Sequence, residues 1–146
     1  MTGLYIHVPF CRRKCLYCDF YSQTDLSFTD SYVKAVVRNI RAANITADTV
    51  YFGGGTPSLL SGAQIYDILS AADISADAEI SAECNPDSAT LPLMRDFRAA
   101  GINRLSIGIQ SFNDDELKMM GRLHSSHQAA EAIQNAQKAG FENISA

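Results

Sequence analysis

What this sequence lacks narrows its function before any motif is read. It has no basic excess. Across 146 residues, 12 lysines and arginines stand against 16 aspartates and glutamates, a formal net charge of −4 at pH 7. A dedicated DNA-binding module carries the opposite balance, so nucleic acid is not an expected partner. No run approaches the roughly 18 apolar residues of a transmembrane segment. The first ten residues have neither the basic start nor the apolar stretch of a secretory signal, so the expected compartment is the cytoplasm. Neither a G-x-G-x-x-G fingerprint nor a P-loop ending in Gly-Lys-Ser/Thr occurs, which disfavours both common nucleotide folds. Internal repeats and low-complexity segments are also missing. An apolar fraction of 47% and a charged fraction of 19% are globular values and exclude wholesale disorder. A chain of this length buries roughly two-thirds of its extended surface, so one domain stands without disulfide staples.

Cysteine is scarce, but its placement is informative. Of four cysteines, Cys11, Cys15 and Cys18 form a C-x3-C-x2-C cluster, and Cys84 lies far downstream. In a reducing compartment such a cluster points to a metal or redox site rather than to disulfides. The spacing differs from the ferredoxin run and from zinc pairs, both of which supply four ligands. Three thiolates on a [4Fe–4S] cluster leave one iron free to bind a small molecule. Arg12, Arg13 and Lys14 between the first two cysteines do not suit a buried apolar segment. They do suit thiolates, because nearby positive charge lowers a cysteine pKa. A zinc site of three cysteines and one histidine is the competing reading.

Periodicity divides the chain into alternating strands and helices. Strands are predicted at residues 4–8, 48–52, 78–82, 104–109 and 142–146. Helices are predicted at 29–43, 61–72 and 90–100, with two more opening at Asn113 and Ser125. Ser61-x-x-Gln64 and Ser125-x-x-Gln128 have the capping-box form, and Gly101 and Gly140 stop two of the helices. This alternation predicts an α/β fold of parallel strands joined by right-handed helical crossovers.

The polar and glycine residues of each strand fall just past its C-terminal end: Cys11, Gly53, Glu83 and Gln110. In α/β sheets and barrels that edge carries the active site. Gly53-Gly54-Gly55 allows the backbone to approach a ligand and take unusual dihedrals, although alone it also fits a flexible turn. Glu83 and Gln110 alone would pass as loop-capping residues. On a shared rim they become partners for ribose hydroxyls or an amino group. Arg122 suits either the charge at a helix C-terminus or a ligand carboxylate. Cys84 reads as a half-buried free thiol. His7 reads as an interior histidine, and His124 and His127 as surface or helix-start residues.

Together these motifs resemble a known family. Tyr5-Ile6-His7-Val8-Pro9-Phe10-Cys11-x3-Cys15-Leu16-Tyr17-Cys18 is similar to the signature of radical S-adenosylmethionine (SAM) proteins, within the coproporphyrinogen III oxidase-like branch. FGGGTPS at 52–58, AECNPDS at 82–88, RLSIGIQSFNDDEL at 104–117 and GRLH at 121–124 agree in order. The oxygen-independent oxidase, a porphyrin decarboxylase, carries a further cysteine two positions after the third. Phe20 stands there, and Cys18-Asp19-Phe20 resembles the HemW-type haem chaperones instead.

The resemblance implies a [4Fe–4S] cluster on Cys11, Cys15 and Cys18, and SAM as the small molecule. It implies Tyr17 beside the adenine, and Gly54, Gly55 and Thr56 at the methionine amino end. Glu83 and Gln110 would face the ribose, Arg122 the carboxylate, and Tyr5 the far side of the pocket. Haem or a porphyrin, and haem-accepting proteins, would be partners of the full-length parent. The implied fold is the N-terminal part of a partial (β/α)6 barrel. By proportion with the eight-unit barrel of about 250 residues, each unit takes roughly 30, so residues 1–146 are expected to hold about four units and the start of a fifth strand. On this reading an acidic SAM ligand would follow Ala146, and a C-terminal region implicated in haem contact is absent.

Overall fold

The computed structural model describes residues 2–146. Five parallel strands form one sheet: β1 (Gly3–Val8), β2 (Thr46–Gly54), β3 (Asp73–Cys84), β4 (Arg104–Ile107) and β5 (Asn143–Ser145). Their spatial order is β1-β2-β3-β4-β5, so every strand pairs with its neighbours in sequence. A doubly wound sheet reverses its order at a switch point, whereas an unbroken sequential order belongs to an arc of a barrel. Helices α1 (Thr29–Ala43), α2 (Gly62–Leu69), α3 (Leu91–Ala100), α4 (Asp114–Met119) and α5 (Ser126–Lys138) supply the crossovers. The α/β alternation expected from the sequence is therefore the observed architecture.

Local chemistry sets the helix ends. The hydroxyls of Ser61 and Ser125 accept from the amides of Gln64 and Gln128, and each glutamine side chain accepts from the cap's own amide, completing two capping boxes. Asn113 caps α4 by accepting from Asp115 and Glu116, and three acidic residues occupy that first turn, where the helix dipole favours negative charge. Helix α1 ends at Asn44 and α3 at Gly101, both in the left-handed region.

Strand register decides which face binds ligand. Ile6, Phe52, Ala82, Leu105 and Ile144 lie in one row across the sheet. The first four are buried and join Ile65, Ile68, Met94 and Phe97 from the helices in the core. One residue back, the opposite face carries Tyr5, Tyr51, Ser81, Arg104 and Asn143. This second row is polar or aromatic, and Tyr5 is 56% exposed. The two-residue period of a strand thus separates an apolar face under the helices from an open polar face.

The elements depart from expectation at four places. Strand β2 begins at Thr46 and keeps both Gly53 and Gly54, because these still pair with His7 and Val8. Strand β3 begins at Asp73 rather than 78. Its polar start pairs with Thr46 and Ala47 beyond a register shift, and Thr46 Oγ1 donates to Asp73 Oδ2 at 2.8 Å. Helix α2 stops at Leu69, after which the amides of Ala71 and Ala72 turn back three residues to Ile68 and Leu69. Strand β4 stops at Ile107, because the amides of Ile109 and Ser111 turn back to carbonyls two residues earlier and Gln110 adopts φ 68°.

Candidate cofactor-binding site

The C-terminal ends of β2 to β4 and the loop after β1 converge on one cleft of about 230 Å³. Tyr17, Cys18, Gly54, Gly55, Thr56, Glu83, Gln110 and Arg122 all line it, together with Phe20, Asn85, Ser106 and Gly108. Cys15 lines an adjoining crevice that shares Thr56, Asn85 and Arg122 with the cleft. Tyr5 stands apart on the open face of β1, its ring stacked on that of Tyr51 with centroids 6.1 Å apart.

The glycines are needed for close approach. Gly54 has φ 104°, and a Cβ there would lie 2.6 Å from the His7 ring. A Cβ on Gly55 would meet the carbonyl oxygens of Phe10 and Val8 at 2.6 and 2.8 Å. The Gly55 amide donates to Val8 O and the Thr56 amide to Phe10 O, each at 2.7 Å. The Gly-Gly-Thr segment is thus strapped against the start of the cysteine loop, with its side-chain-free surface forming part of the cleft.

The cysteine loop is tied at several points. Cys11 N donates to Gln23 O, Cys18 N to Cys15 O, and Leu16 N to Met120 O. All three loop thiols are free and half-buried. Among the described residues, no three of His, Cys, Asp and Glu stand at metal-holding distances from one another. Two of the sulfurs nevertheless receive donors from other loops: Thr56 Oγ1 on Cys11 and Arg122 Nη1 on Cys15, both at 3.5 Å. Hydrogen bonds of this kind suit anionic thiolates.

Arg122 is also held by Asn85 Oδ1 at 3.0 Å and Gly108 O at 2.6 Å through Nη2. Its Nε is buried with no hydrogen-bond partner, a donor that an anionic ligand would satisfy. Glu83 accepts from Tyr51 Oη at 2.8 Å. Burial, followed by that bond and the carboxylate's charge, pushes the Tyr51 phenol up to about 12. Burial also raises Tyr17, with the Arg122 charge opposing.

Cys84 also touches the cleft, but burial, then Asp87, pushes its thiol up to about 12, so it stays protonated and inert. His124 is buried rather than at the surface. Its Nε2 donates to Ile109 O at 2.9 Å, and burial lowers its pKa.

Sequence reading missed Asn85, Tyr51 and His124. Asn85 directly follows the end of β3, the position that singled out the other rim residues. Tyr51 shares its side of the sheet with Glu83 by strand parity. No sequence signal indicated that His124 turns inward.

A sequential parallel arc with a cysteine loop, a glycine segment and polar strand ends on one rim is the architecture of part of an α/β barrel, with its candidate site at the C-terminal edge. The chain belongs to the radical SAM superfamily, whose family model matches residues 5–146. It is 37% identical to the heme chaperone HemW of Escherichia coli (strain K12), over 97% of this chain and 40% of that protein. It is 39% identical to HemW of Synechocystis sp., over 99% of this chain and 38% of the relative. The mitochondrial radical S-adenosyl methionine domain-containing protein 1 of Bos taurus is 37% identical, over 94% and 33%. The chain thus spans well under half the length of these relatives. Among solved structures, the coproporphyrinogen III oxidase HemN of Escherichia coli superposes with a TM-score of 0.84 at 27% identity, covering 98% of this chain and 36% of that one.

Proposed function

We propose that this chain binds a [4Fe–4S] cluster through Cys11, Cys15 and Cys18, and SAM in the adjoining cleft, in the service of haem binding and delivery. The observation that carries the cofactor reading is the pair of donors aimed at cysteine sulfurs, Thr56 on Cys11 and Arg122 on Cys15, beside the cleft lined by Gly54, Gly55 and Thr56. A structural zinc module accounts for the thiols but gives no use to the buried, unpartnered Arg122 Nε.

Each side chain has a role on this reading. The backbone of Gly54, Gly55 and Thr56 receives the methionine amino end. Glu83, oriented by Tyr51, and Gln110 face the ribose. Tyr17 lies along the adenine, the unsatisfied Arg122 Nε faces the carboxylate, and Tyr5 closes the far side through its stack on Tyr51. Bound together, cluster and SAM supply the one-electron chemistry of the superfamily, while the protein supplies position and excludes water.

Two observations favour haem delivery over porphyrin decarboxylation: Phe20 at the position of the oxidase's additional cysteine, and the greater identity to HemW sequences. The likeness to HemN keeps an oxygen-independent coproporphyrinogen III oxidase as the second reading. Haem or porphyrin, and haem-accepting proteins, are proposed partners of the whole protein. No helix among the described residues is long and apolar enough to cross a membrane. We also propose a cytoplasmic location, a reducing compartment in which the loop cysteines stay available as ligands.

Anaerobic reconstitution with iron and sulfide tests the cofactor reading. It should give iron–sulfur absorption that Cys15→Ala abolishes, with SAM binding by calorimetry. Stoichiometric zinc without that absorption would establish the zinc module instead. In the full-length protein, haem binding without coproporphyrinogen decarboxylation separates the chaperone from the oxidase.

A further inference from the structure

Asn85 sits at the centre of the site with no part in the roles above, and its hydrogen bonds have a fixed sense. Its Nδ2 lies 3.1 Å from Thr56 Oγ1, and an amide nitrogen can only donate. Thr56 therefore accepts from Asn85, and its single hydroxyl proton is left for Cys11 Sγ at 3.5 Å. On the other side Asn85 Oδ1 accepts from Arg122 Nη2 at 3.0 Å, while Nη1 of the same guanidinium donates to Cys15 Sγ. Reversing the amide would set donor against donor at Arg122, so the network itself assigns the orientation. One side chain thus spaces two donors, from the turn after β2 and the segment after α4, onto two sulfurs of the loop after β1.

The Asn85 backbone is held independently. Its amide donates to Ser58 Oγ at 3.2 Å, and its carbonyl accepts from Ser88 Oγ at 2.9 Å. A change in the side chain therefore leaves the turn in place and alters the network alone.

We propose that Asn85 is a positioning residue that aims the Thr56 hydroxyl and the Arg122 guanidinium at Cys11 and Cys15, and so raises the reduction potential of the cluster they hold. The proposal rests on the cluster reading above. Donors and positive charge at cluster sulfurs stabilise the added electron, and hydrogen bonds to the sulfurs are among the factors that set a cluster's potential. Asn85→Ala releases both donors. Thr56→Val removes one while keeping the shape.

The test is a dye-mediated potentiometric titration of the anaerobically reconstituted chain, followed by electron paramagnetic resonance, with iron and sulfide content measured for each variant. Asn85→Ala and Thr56→Val should lower the ratio of reduced to oxidised cluster at a fixed potential by about threefold to tenfold, where tenfold is ~59 mV for a one-electron couple. Thr56→Ser, which keeps the hydroxyl, should return the ratio towards that of the parent chain. A purely structural role for Asn85 would change cluster content without moving the potential of the cluster that remains. An unshifted potential at full cluster content in Asn85→Ala overturns the proposal. Should that variant take up no cluster, an unshifted Thr56→Val overturns it on the same scale. Failure of the unsubstituted chain to form any iron–sulfur cluster sinks the underlying reading instead, and is seen before any variant is compared.

Discussion

Arg122 Nη1 donates to the sulfur of Cys15, although β2, β3 and β4 all intervene in the chain. The contact closes the first loop of the sheet onto the segment after α4, and Leu16 N on Met120 O reinforces it at 3.4 Å. Arg122→Lys keeps the charge but loses the planar fork that reaches Cys15, Asn85 and Gly108 together. We expect a loss of about 1–3 kcal/mol in stability, from hydrogen bonds to a charged group that leave buried acceptors behind. Chemical denaturation monitored by circular dichroism measures it, and an unchanged midpoint would show that the fork contributes nothing.

Substitution of Gly55 separates space from strain. At Gly55 an added methyl meets two backbone carbonyls, which cannot rotate away as a side chain could. Gly55→Ala should cost about 1–3 kcal/mol through overpacking. Gly140→Ala, where a Cβ meets nothing within 4 Å but φ is 89°, isolates the cost of the left-handed backbone, about 1–2 kcal/mol. SAM affinity should fall in the first variant and hold in the second, as read by calorimetry.

Thiol chemistry should divide the cysteines three to one. Cys11, Cys15 and Cys18 are half-buried, whereas Cys84 is 2% exposed and its thiol is pushed up to about 12. Brief treatment of the cluster-free chain with iodoacetamide should label the first three and spare Cys84, with denaturant restoring the fourth label. Mass spectrometry of the peptides counts them, and early labelling of Cys84 would contradict its burial.

The His124 environment makes stability depend on pH in a defined direction. Burial lowers its pKa below the ordinary histidine value of about 6.5. Above that value the residue is neutral in both the folded and unfolded chain and adds no pH dependence. As pH falls below it, the unfolded chain takes up a proton that the folded chain refuses, so stability falls until the folded value is passed. His124→Leu should flatten that part of the profile while lowering stability at pH 8 through the lost bond to Ile109 O. An identical slope in both proteins would assign the acid loss to other groups.

Local rules made much of this fold legible. The two capping boxes occur where Ser61-x-x-Gln64 and Ser125-x-x-Gln128 announce them, because a cap is decided within four residues. Glu83 and Gln110 stood out as polar residues ending apolar strands, and the cleft collects both. The early start of β3 was hidden because Asp73 to Asp77 is polar, and its strand character comes from pairing with Thr46 and Ala47. Asn85 escaped notice for a related reason. Its importance lies in meeting Thr56 and Arg122, 29 and 37 residues away, and no periodicity records such an encounter. His124 turns inward onto the Ile109 carbonyl, an encounter across 15 residues that no local pattern announces.

The sequential strand order also governs assembly during synthesis. Each strand needs only its predecessor as a template, so the sheet can grow vectorially as the chain leaves the ribosome, without waiting for a distant partner. The cysteine loop, the glycine segment and Asn85 are all in place once β3 has docked on β2. Emergence of Arg122 then fastens the first loop to the segment after α4, so the bond across the cleft forms only after the parts it joins are already in place.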